Sequence, residues 1–476
     1  MQSTLAQCQS WVVDSSMTTD GNANIDGVST DSRTAAAGSL FVALRGERFD
    51  SHDFLRQVAD RGVAAIMVEK STPGHKLDGL QVPLLMVPDS RIALGQVAHG
   101  WRDQFSLPII GVTGSNGKTT VKEMIAAILA AGVGTGHSMA TRGNFNNDIG
   151  VPLTLLRINA DTRAAVVELG MNHPGEIGYL SALARPVVGL VNNAQREHQE
   201  FMATVEAVAL ENGAVIDSLP DDGVAVFPAD DVYTPLWRSQ AAARGKRRVI
   251  TFGLNDQADV HCTYVPNVFG SDLRVVAGEN AFSICLGAAG EHNVRNALAA
   301  IACTLAINMP AQAIVRGLES FVPVAGRLQR KLAANGALVI DDTYNANPDS
   351  VRAAIDVLAQ AAAPRVLVLG DMGEVGDNGQ VFHEEIGDYA RTCGIDKVLT
   401  LGQLAAHTAQ AFDTDGVSSR QRGQQQGMHF SDIDALQHTL DKLATPDAAI
   451  LIKGSRFMKM ERVVQHLLGQ PVQESH

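Results

Sequence analysis

Short apolar runs alternate with helical patterns along the chain from residue 107 onward. The runs are rich in Val, Ile and Leu and end in Gly, Asp or Asn, which is typical of buried parallel strands. They lie at 107–114, 163–170, 186–194, 337–345, 364–372 and 448–456. Between the first two runs, residues 119–132 repeat apolar side chains at helical spacing. The alternation predicts an α/β protein with parallel sheets, in which ligands bind at the carboxyl ends of the strands.

Two breaks in this alternation divide the chain into three predicted domains. Residues 1–100 have a turn-rich pattern of their own, and Pro and Gly within 322–329 separate a helical stretch from the next strand. A length of 476 residues agrees with this number, because domains usually contain roughly 100–200 residues. We therefore predict domains at 1–104, 105–324 and 325–476.

The charge balance and the cysteines exclude several classes of protein. The chain has 38 Lys and Arg against 51 Asp and Glu, a net charge of −13, which argues against a nucleic-acid-binding surface. The 5 cysteines are far apart and form no CxxC pair, so neither a disulfide framework nor a zinc site is indicated. No apolar run approaches the ~18–20 residues of a membrane span, and no signal peptide is evident. We expect a cytoplasmic protein that binds no nucleic acid.

The sequence TGSNGKTT (113–120) follows a predicted strand and precedes a predicted helix. Glycine-rich turns of this kind expose backbone N–H groups to phosphate, while Lys118 supplies a cation and Thr119 a hydroxyl for Mg²⁺. Val112 stands where the usual phosphate-loop pattern has a glycine. A glycine turn with a surface lysine is the alternative, but the order of strand, loop and helix favours a nucleoside triphosphate site.

Two side chains beyond this loop are candidate metal ligands. Glu168 ends one predicted buried strand and His198 follows another. Carboxyl ends of parallel strands meet at one edge of the sheet, so both side chains are expected near the phosphate loop and Mg²⁺. An exposed loop histidine is the alternative for His198. The absence of NKxD argues against a GTPase.

The motifs taken together resemble the Mur ligase family of ATP-dependent amide-forming enzymes. Besides TGSNGKTT, the motifs that carry the resemblance are STDSR (29–33), GSLFVALRGERFDSHDF (38–54), TRGNFNNDIGVPLTLL (141–156), EHNVRNALAA (291–300), GRLQ (326–329), DDTYNANPDSV (341–351) and LGDMGEVG (369–376). The resemblance implies an N-terminal uridine-nucleotide-binding α/β domain and a central P-loop ATPase-like domain with a parallel sheet. It also implies a C-terminal Rossmann-like domain that binds the incoming dipeptide and part of the ATP.

The string DDTYNANP is similar to the signature of the family branch that adds D-alanyl-D-alanine to UDP-N-acetylmuramoyl-tripeptide in bacterial peptidoglycan precursor synthesis. The resemblance thus implies amide formation through an acyl phosphate, with ATP and Mg²⁺ as cofactors, by a monomer. Three alternatives remain: the branch that adds a diamino acid, a ligase like folylpolyglutamate synthetase, and a P-loop ATPase switch that makes no bond.

The resemblance also implies roles for individual residues. Lys118, His198 and Arg327 are the expected catalytic residues, and Thr119, Glu168 and His198 are the expected metal ligands. The expected ATP-binding residues are Thr113, Gly114, Ser115, Asn116, Gly117, Lys118, Thr119, Thr120, Asn293, Asn296, Arg327 and Asp342. The expected substrate-binding residues are Ser29, Asp31, Ser32, Arg33, Thr141, Asn144, Asn147, Tyr344, Asn345 and Asn347.

One position departs from the family pattern. Many Mur ligases carry a carbamylated lysine shortly after the metal-binding histidine, and the corresponding run VALENGAVI (208–216) places Asn212 there. An asparagine has no amine to carbamylate. Either Glu211 replaces the missing anionic ligand or Asn212 ligates through its amide oxygen.

Overall fold

The structure is a computed structural model that describes residues 1–46, 49–197, 202, 204–267, 270–413 and 425–470. Its strands form three larger sheets, one after another along the chain, and a two-stranded ribbon. The α/β fold class predicted from the sequence is confirmed. In the described residues, no helix is both long and apolar enough to cross a membrane.

The N-terminal sheet has five strands in the order β2-β7-β6-β5-β4, and β1 pairs with β3 beside it. Strands β4 to β7 are parallel, and β2 runs antiparallel to β7. The elements are β1 (Gln2–Thr4), α1 (Leu5–Trp11), β2 (Ser16–Met17), β3 (Asn24–Asp26), β4 (Val28–Ser29), β5 (Leu40–Val42), α2 (Leu55–Ala59), β6 (Ala65–Glu69), α3 (Gly74–Leu77), β7 (Leu84–Val87) and α4 (Ser90–Arg102).

The central sheet has nine strands in the order β16-β15-β14-β13-β12-β11-β8-β10-β9. Strands β8 to β14 are parallel to their neighbours, and β15 and β16 extend the sheet in antiparallel fashion. The elements are β8 (Ile109–Thr113), α5 (Lys118–Val133), β9 (Ser138–Ala140), α6 (Gly150–Leu155), β10 (Ala164–Glu168), α7 (Glu176–Ala184), β11 (Val188–Val191), α8 (Val205–Asp217), β12 (Val224–Pro228), α9 (Thr234–Ala242), β13 (Arg248–Gly253), β14 (Val260–Asn267), β15 (Gly270–Ala277), β16 (Asn280–Leu286), α10 (Glu291–Ala306) and α11 (Ala311–Glu319).

The C-terminal sheet has six strands in the order β17-β18-β22-β19-β20-β21, all parallel except β17. The elements are β17 (Gln329–Leu332), β18 (Leu338–Asp342), α12 (Pro348–Ala359), β19 (Arg365–Gly370), α13 (Gly379–Thr392), β20 (Lys397–Leu401), α14 (Ala405–Asp413), β21 (Gln426–Phe430), α15 (Ile433–Leu443), β22 (Ala449–Lys453) and α16 (Glu461–Leu467). The six strands predicted from apolar runs are all confirmed, and so is the helix predicted at 119–132, which is α5. The predicted domain boundaries fall between α4 and β8 and between α11 and β17, and they remain predictions.

The N-terminal and central sheets are joined by a shared apolar core. Leu5 of α1, Leu94 of α4 and Leu155 of α6 belong to one buried cluster. At the end of α4, the indole nitrogen of Trp101 donates to the carbonyl of Ile158 at 2.9 Å. The central sheet therefore supports the N-terminal one. In the central sheet, β8 lies between β11 and β10.

Candidate active site

The phosphate loop connects β8 to α5 and turns tightly against two asparagines. Gly114 (φ 129°) and Gly117 (φ 81°) both have left-handed backbone conformations, which favour glycine. A Cβ on Gly114 would lie 2.9 Å from the Cβ of Asn192, and one on Gly117 would lie 2.5 Å from Oδ1 of Asn296. Neither position has room for a side chain. Only glycine therefore allows the loop's backbone to approach Asn192 and Asn296 this closely.

Lys118 begins α5 and folds back over the loop. Its Nζ donates to the carbonyl oxygens of Gly114 and Ser115, the latter at 3.1 Å, and lies 3.4 Å from Oε2 of Glu197. Its side chain is mostly buried but lines a cavity of about 850 Å³, which Thr119 and Arg327 also line. The lysine therefore places a cation among the loop's backbone groups, as an ATP-binding lysine requires.

The expected metal ligands Thr119 and Glu168 lie in contact. The hydroxyl of Thr119 donates to Oε1 of Glu168 at 3.1 Å, and Nδ2 of Asn146 donates to the same oxygen at 2.9 Å. The other oxygen, Oε2, is buried and has no hydrogen-bond donor among the described residues. A buried carboxylate oxygen without a donor is costly, and a hard cation such as Mg²⁺ suits it because carboxylate and hydroxyl oxygens are its preferred ligands. The residues present fit a magnesium ion.

Arg327 brings the C-terminal part of the chain to this site. One of its terminal nitrogens donates to the hydroxyl of Thr119 at 2.9 Å, while its guanidinium stacks 4.1 Å from the ring centroid of Tyr344. Its Nε is buried with no acceptor in the described part of the chain. The guanidinium of Arg327, from the C-terminal part of the chain, thus reaches Thr119 at the end of the phosphate loop in the central part.

Asn293 and Asn296 line the cavity but bond mainly to the protein. Asn192 donates to Oδ1 of Asn296 at 2.9 Å and to the carbonyl of Asn116 at 2.8 Å. Asn296 in turn donates to Oδ1 of Asn293 at 3.2 Å, and Asn293 donates to the carbonyl of Ala289 at 2.7 Å. These two expected ATP-binding asparagines thus belong to an amide network that supports the phosphate loop.

Asp342, an expected ATP-binding residue, is held in a buried ion pair. Nζ of Lys453 lies 2.5 Å from Oδ2 of Asp342 and donates to the carbonyl of Asn345 at 2.8 Å. The backbone N–H of Leu328 donates to the other carboxylate oxygen at 3.1 Å. The carboxylate lines the cavity, yet it also fixes the end of β18 to β22, a role that the sequence analysis did not predict.

The expected substrate-binding residues fall into two groups. Asn144, Asn147, Tyr344, Asn345 and Asn347 line the same cavity as the phosphate loop. Thr141 is buried instead, and its hydroxyl accepts the backbone N–H of Glu168 at 3.0 Å. Its side chain thus stabilises the strand end that carries Glu168, and contact of Thr141 with substrate stays a prediction.

The remaining expected substrate residues lie around the end of β4, away from this cavity. Arg33 and Asp31 form an exposed ion pair with each other at 2.9 Å, and the hydroxyl of Ser29 donates to the carbonyl of Asp31 at 3.3 Å. None of the described cavity-lining residues is Ser29, Asp31, Ser32 or Arg33. A role for this loop in binding a uridine nucleotide stays a prediction.

The cavity has a volume of about 850 Å³ and is lined by all three parts of the chain. Thr113 and Gly114 lie behind it: the hydroxyl of Thr113 is buried and donates to the carbonyl of Leu190 at 2.9 Å. Ser115, Asn116, Gly117 and Thr120 line the wall. The sequence analysis did not find the further lining residues Arg91, Asn146, Arg196 and Lys453. Two of these had a usable signal: Asn146 lies within the motif at 141–156, and Lys453 ends an apolar strand.

His198 lies outside the described residues, so its predicted metal and catalytic roles remain predictions. Glu197, its neighbour in sequence, is buried beside Lys118. Across the described ranges, no group of three or more His, Cys, Asp or Glu side chains forms a ready-made metal site.

Comparison with known proteins identifies the family. Three family models match: "Mur ligase family, catalytic domain" over residues 24–102, "Mur ligase middle domain" over 112–304 and "Mur ligase, glutamate ligase domain" over 326–456. UDP-N-acetylmuramoyl-tripeptide–D-alanyl-D-alanine ligase of Escherichia coli (strain K12) is 39% identical over 451 residues, which are 93% of this chain and 94% of that protein. The chain belongs to the Mur ligase family.

Solved structures agree with this Mur ligase assignment. A crystal structure of MurF from Acinetobacter baumannii is 33% identical, with a TM-score of 0.89 and coverage of 99% of both chains. The MurF ligase of Thermotoga maritima in complex with ADP is 25% identical, with a TM-score of 0.80 and coverage of 93% of this chain and 97% of that one. The similarity extends over all three sheets.

In this Mur ligase, Asn212 and Glu211 both have partners within the protein. Oδ1 of Asn212 accepts the backbone N–H of Gly114 at 2.8 Å, and its Nδ2 is buried without an acceptor in the described part of the chain. The two carboxylate oxygens of Glu211 accept the backbone N–H groups of Gly175 and Ile177, each at 2.9 Å, at the start of α7. The geometry favours neither as a replacement metal ligand: Asn212 supports the phosphate loop and Glu211 caps a helix.

Proposed function

We propose that this Mur ligase joins D-alanyl-D-alanine to UDP-N-acetylmuramoyl-tripeptide at the expense of ATP. The observation that carries the proposal is the meeting of Thr119, Glu168 and Arg327 in a cavity that three parts of the chain enclose. The E. coli relative, 39% identical over nearly its whole length, has that activity in its name. In the reaction, the terminal carboxylate of the tripeptide takes the γ-phosphoryl group of ATP, and ADP is released. The dipeptide amine then attacks the acyl carbon, and phosphate and a proton leave.

Such a reaction needs positioning and charge neutralisation rather than a covalent enzyme nucleophile. Lys118 is assigned to the phosphoryl oxygens because its Nζ lies among the backbone carbonyls of the phosphate loop and its side chain lines the cavity. Arg327 is assigned to the same charge from the opposite side, where its buried Nε has no acceptor among the described residues. We assign Asn293, Asn296 and Asp342 to the nucleotide's adenosine end, since all three line the cavity.

Thr119 and Glu168 would hold the Mg²⁺ that accompanies ATP, and His198 would hold a second metal near the acyl phosphate. The Mg²⁺ would neutralise phosphate charge when bound. The support is the buried Oε2 of Glu168, which has no donor in the described residues. Thr119 and Asn146 both donate to the neighbouring oxygen, which keeps the carboxylate in one orientation.

The finer assignments belong to the same proposal. The dipeptide site is assigned to Tyr344, Asn345 and Asn347, and the muramoyl-peptide site to Asn144 and Asn147, because both sets line the cavity. The uridine nucleotide is assigned to the loop at 29–33. We further propose domain boundaries at 104/105 and 324/325, a monomeric state and a cytoplasmic location.

Phosphate release tests the proposal. ATP alone should give little phosphate, and ATP with UDP-N-acetylmuramoyl-tripeptide and D-alanyl-D-alanine should give much more, with one amide product formed per phosphate as measured by mass spectrometry. Phosphate release is then compared with L-alanyl-L-alanine, a free diamino acid or L-glutamate in place of D-alanyl-D-alanine. This comparison distinguishes the proposed ligase from related ligases. ATP hydrolysis that ignores all acceptors would instead indicate an ATPase switch and overturn the proposal.

A further inference from the structure

Arg196 extends from the central sheet to the C-terminal one. It lies in the segment after β11, next to Gln195, whose side chain accepts a hydrogen bond from Asn116 of the phosphate loop at 2.6 Å. Nε and a terminal nitrogen of Arg196 donate to Asp349 on α12, the terminal nitrogen at 2.6 Å. Its two terminal nitrogens donate to Glu385 on α13, at 2.7 and 3.1 Å. One guanidinium therefore joins the loop segment to two helices of another sheet.

Arg196 forms ion pairs with Asp349 and Glu385, and all three side chains are partly buried. Hydrogen bonds to Glu385 and to Asp349 raise the pKa of Arg196 above its ordinary value. Arg196 also lowers the pKa of Glu385 despite the opposing effect of burial, and Arg352 adds a second hydrogen bond to this carboxylate at 2.9 Å. The guanidinium lies 5.3 Å from the ring centroid of Phe382. A planar, multiply bonded arginine fixes both distance and orientation, which a single-point ammonium does not.

The two anchored helices form the C-terminal wall of the cavity. Asn347 caps α12 by accepting the N–H of Ser350 at 2.8 Å, and it donates to Oδ1 of Asn116 at 2.9 Å. Asp349 follows two residues later, and its Oδ2 accepts the backbone N–H of Arg196 at 3.0 Å. Phe382 on α13 lines the cavity opposite this segment. The start of α12 is therefore held at two points. Asn347 bonds directly to Asn116 of the phosphate loop, and Asp349 forms an ion pair with Arg196 in the segment after β11.

We propose that Arg196 is a positioning residue that aligns the dipeptide-binding wall with the phosphate loop. This inference rests on the proposed function, in which the amine bound at that wall attacks an acyl group activated at the loop. A small error in the relative position of two reacting groups reduces the rate strongly. The side chain of Arg196 bonds to carboxylates on two helices of the C-terminal sheet, so it can fix that position.

The test combines Arg196→Met, Arg196→Lys, Asp349→Asn and the pair Arg196→Met with Asp349→Asn. For Arg196→Met, kcat/KM for D-alanyl-D-alanine should fall by roughly 10- to 10²-fold, while the Kd for ADP, measured by calorimetry, stays at the parent value. Arg196→Lys should recover only part of the loss. The double variant should have the same kcat/KM as Arg196→Met alone, because both changes remove the same contact between Arg196 and Asp349. Arg238→Met, an exposed arginine on α9, is the matched control and should behave as the parent.

Amide hydrogen exchange supplies a readout that does not need the reaction. In Arg196→Met the peptide covering 345–352 should exchange faster, and the peptide covering α5 should not. A parent-like dipeptide KM and kcat in Arg196→Met, multiplicative effects in the double variant, or unchanged exchange at 345–352 would each overturn the positioning role. If the parent makes no amide from D-alanyl-D-alanine, the proposed function fails, and the exchange data alone then decide whether Arg196 holds α12.

Discussion

At the scale of single residues, Nζ of Lys118 bonds to loop carbonyls and lies 3.4 Å from Oε2 of Glu197, and the side chain lines the cavity. We expect Lys118→Ala to fold normally and to lose at least about 10²-fold in turnover, because one electrostatic stabiliser of the phosphoryl charge is removed. Turnover and thermal unfolding, measured side by side, check this. Arg238→Met, distant from the loop in sequence and exposed, serves as the control. Near-parental turnover would show that the loop is not the ATP site.

Asn212 leads to a prediction specific to this Mur ligase. Added bicarbonate should not raise activity, because an asparagine cannot be carbamylated and its amide oxygen is occupied by the N–H of Gly114. Without the extra anionic ligand, the enzyme should also need more free Mg²⁺ than a lysine-bearing relative. Initial rates with and without bicarbonate, across a magnesium titration, are the measurement.

Two substitutions of Asn212 test the same prediction further. Asn212→Leu leaves the buried N–H of Gly114 without an acceptor and should lower the free energy of unfolding by about 1–3 kcal/mol. Asn212→Lys tests whether the backbone still suits a carbamate, in which case activity becomes bicarbonate-dependent. Bicarbonate stimulation of the unaltered protein, traced to another lysine, would refute the idea.

At the scale of elements, Glu211 links α8 to the start of α7. Its carboxylate accepts two backbone N–H groups there, at the positive end of the helix dipole. Glu211→Gln should therefore lower the free energy of unfolding by about 0.5–2 kcal/mol, the usual contribution of a helix cap, and should leave the magnesium dependence unchanged. Denaturant unfolding and a magnesium titration check the two statements. Loss of magnesium dependence would restore Glu211 as a metal ligand.

The elements were predictable where one local signal determined them. Apolar runs such as 107–114 become buried strands because parallel strands are covered on both faces, and TGSNGKTT forms its loop because Gly114 and Gly117 alone fit the backbone. The motif at 141–156 gives no sign that the hydroxyl of Thr141 accepts the backbone N–H of Glu168. Arg196 has no local sequence signal, and Lys453 has only its place at the end of an apolar strand. Their partners are 153 and 111 residues away, and only the folded chain brings them together.

At the scale of the whole molecule, the candidate ATP site is complete only when the central and C-terminal sheets are close together. Arg327 donates to Thr119 across this boundary at 2.9 Å, and Nδ2 of Asn347 donates to Oδ1 of Asn116 across it at 2.9 Å. Ligands that bind both sides should therefore stabilise the closed arrangement by mass action. The connection itself is accessible, since Val322 is 72% exposed.

Limited digestion with trypsin tests this closure. Cleavage after Arg327 should slow when a non-hydrolysable ATP analogue and UDP-N-acetylmuramoyl-tripeptide are both bound, because phosphate and Thr119 then hold the arginine in the closed site. Either ligand alone should protect less. Cleavage in the exposed turn at Arg244 and Lys246, between α9 and β13, provides an internal reference because it lies within one sheet's connections. If both sites are cut at their original rates under saturating ligands, then closure does not occur at this boundary, and Arg327 must act without help from domain movement.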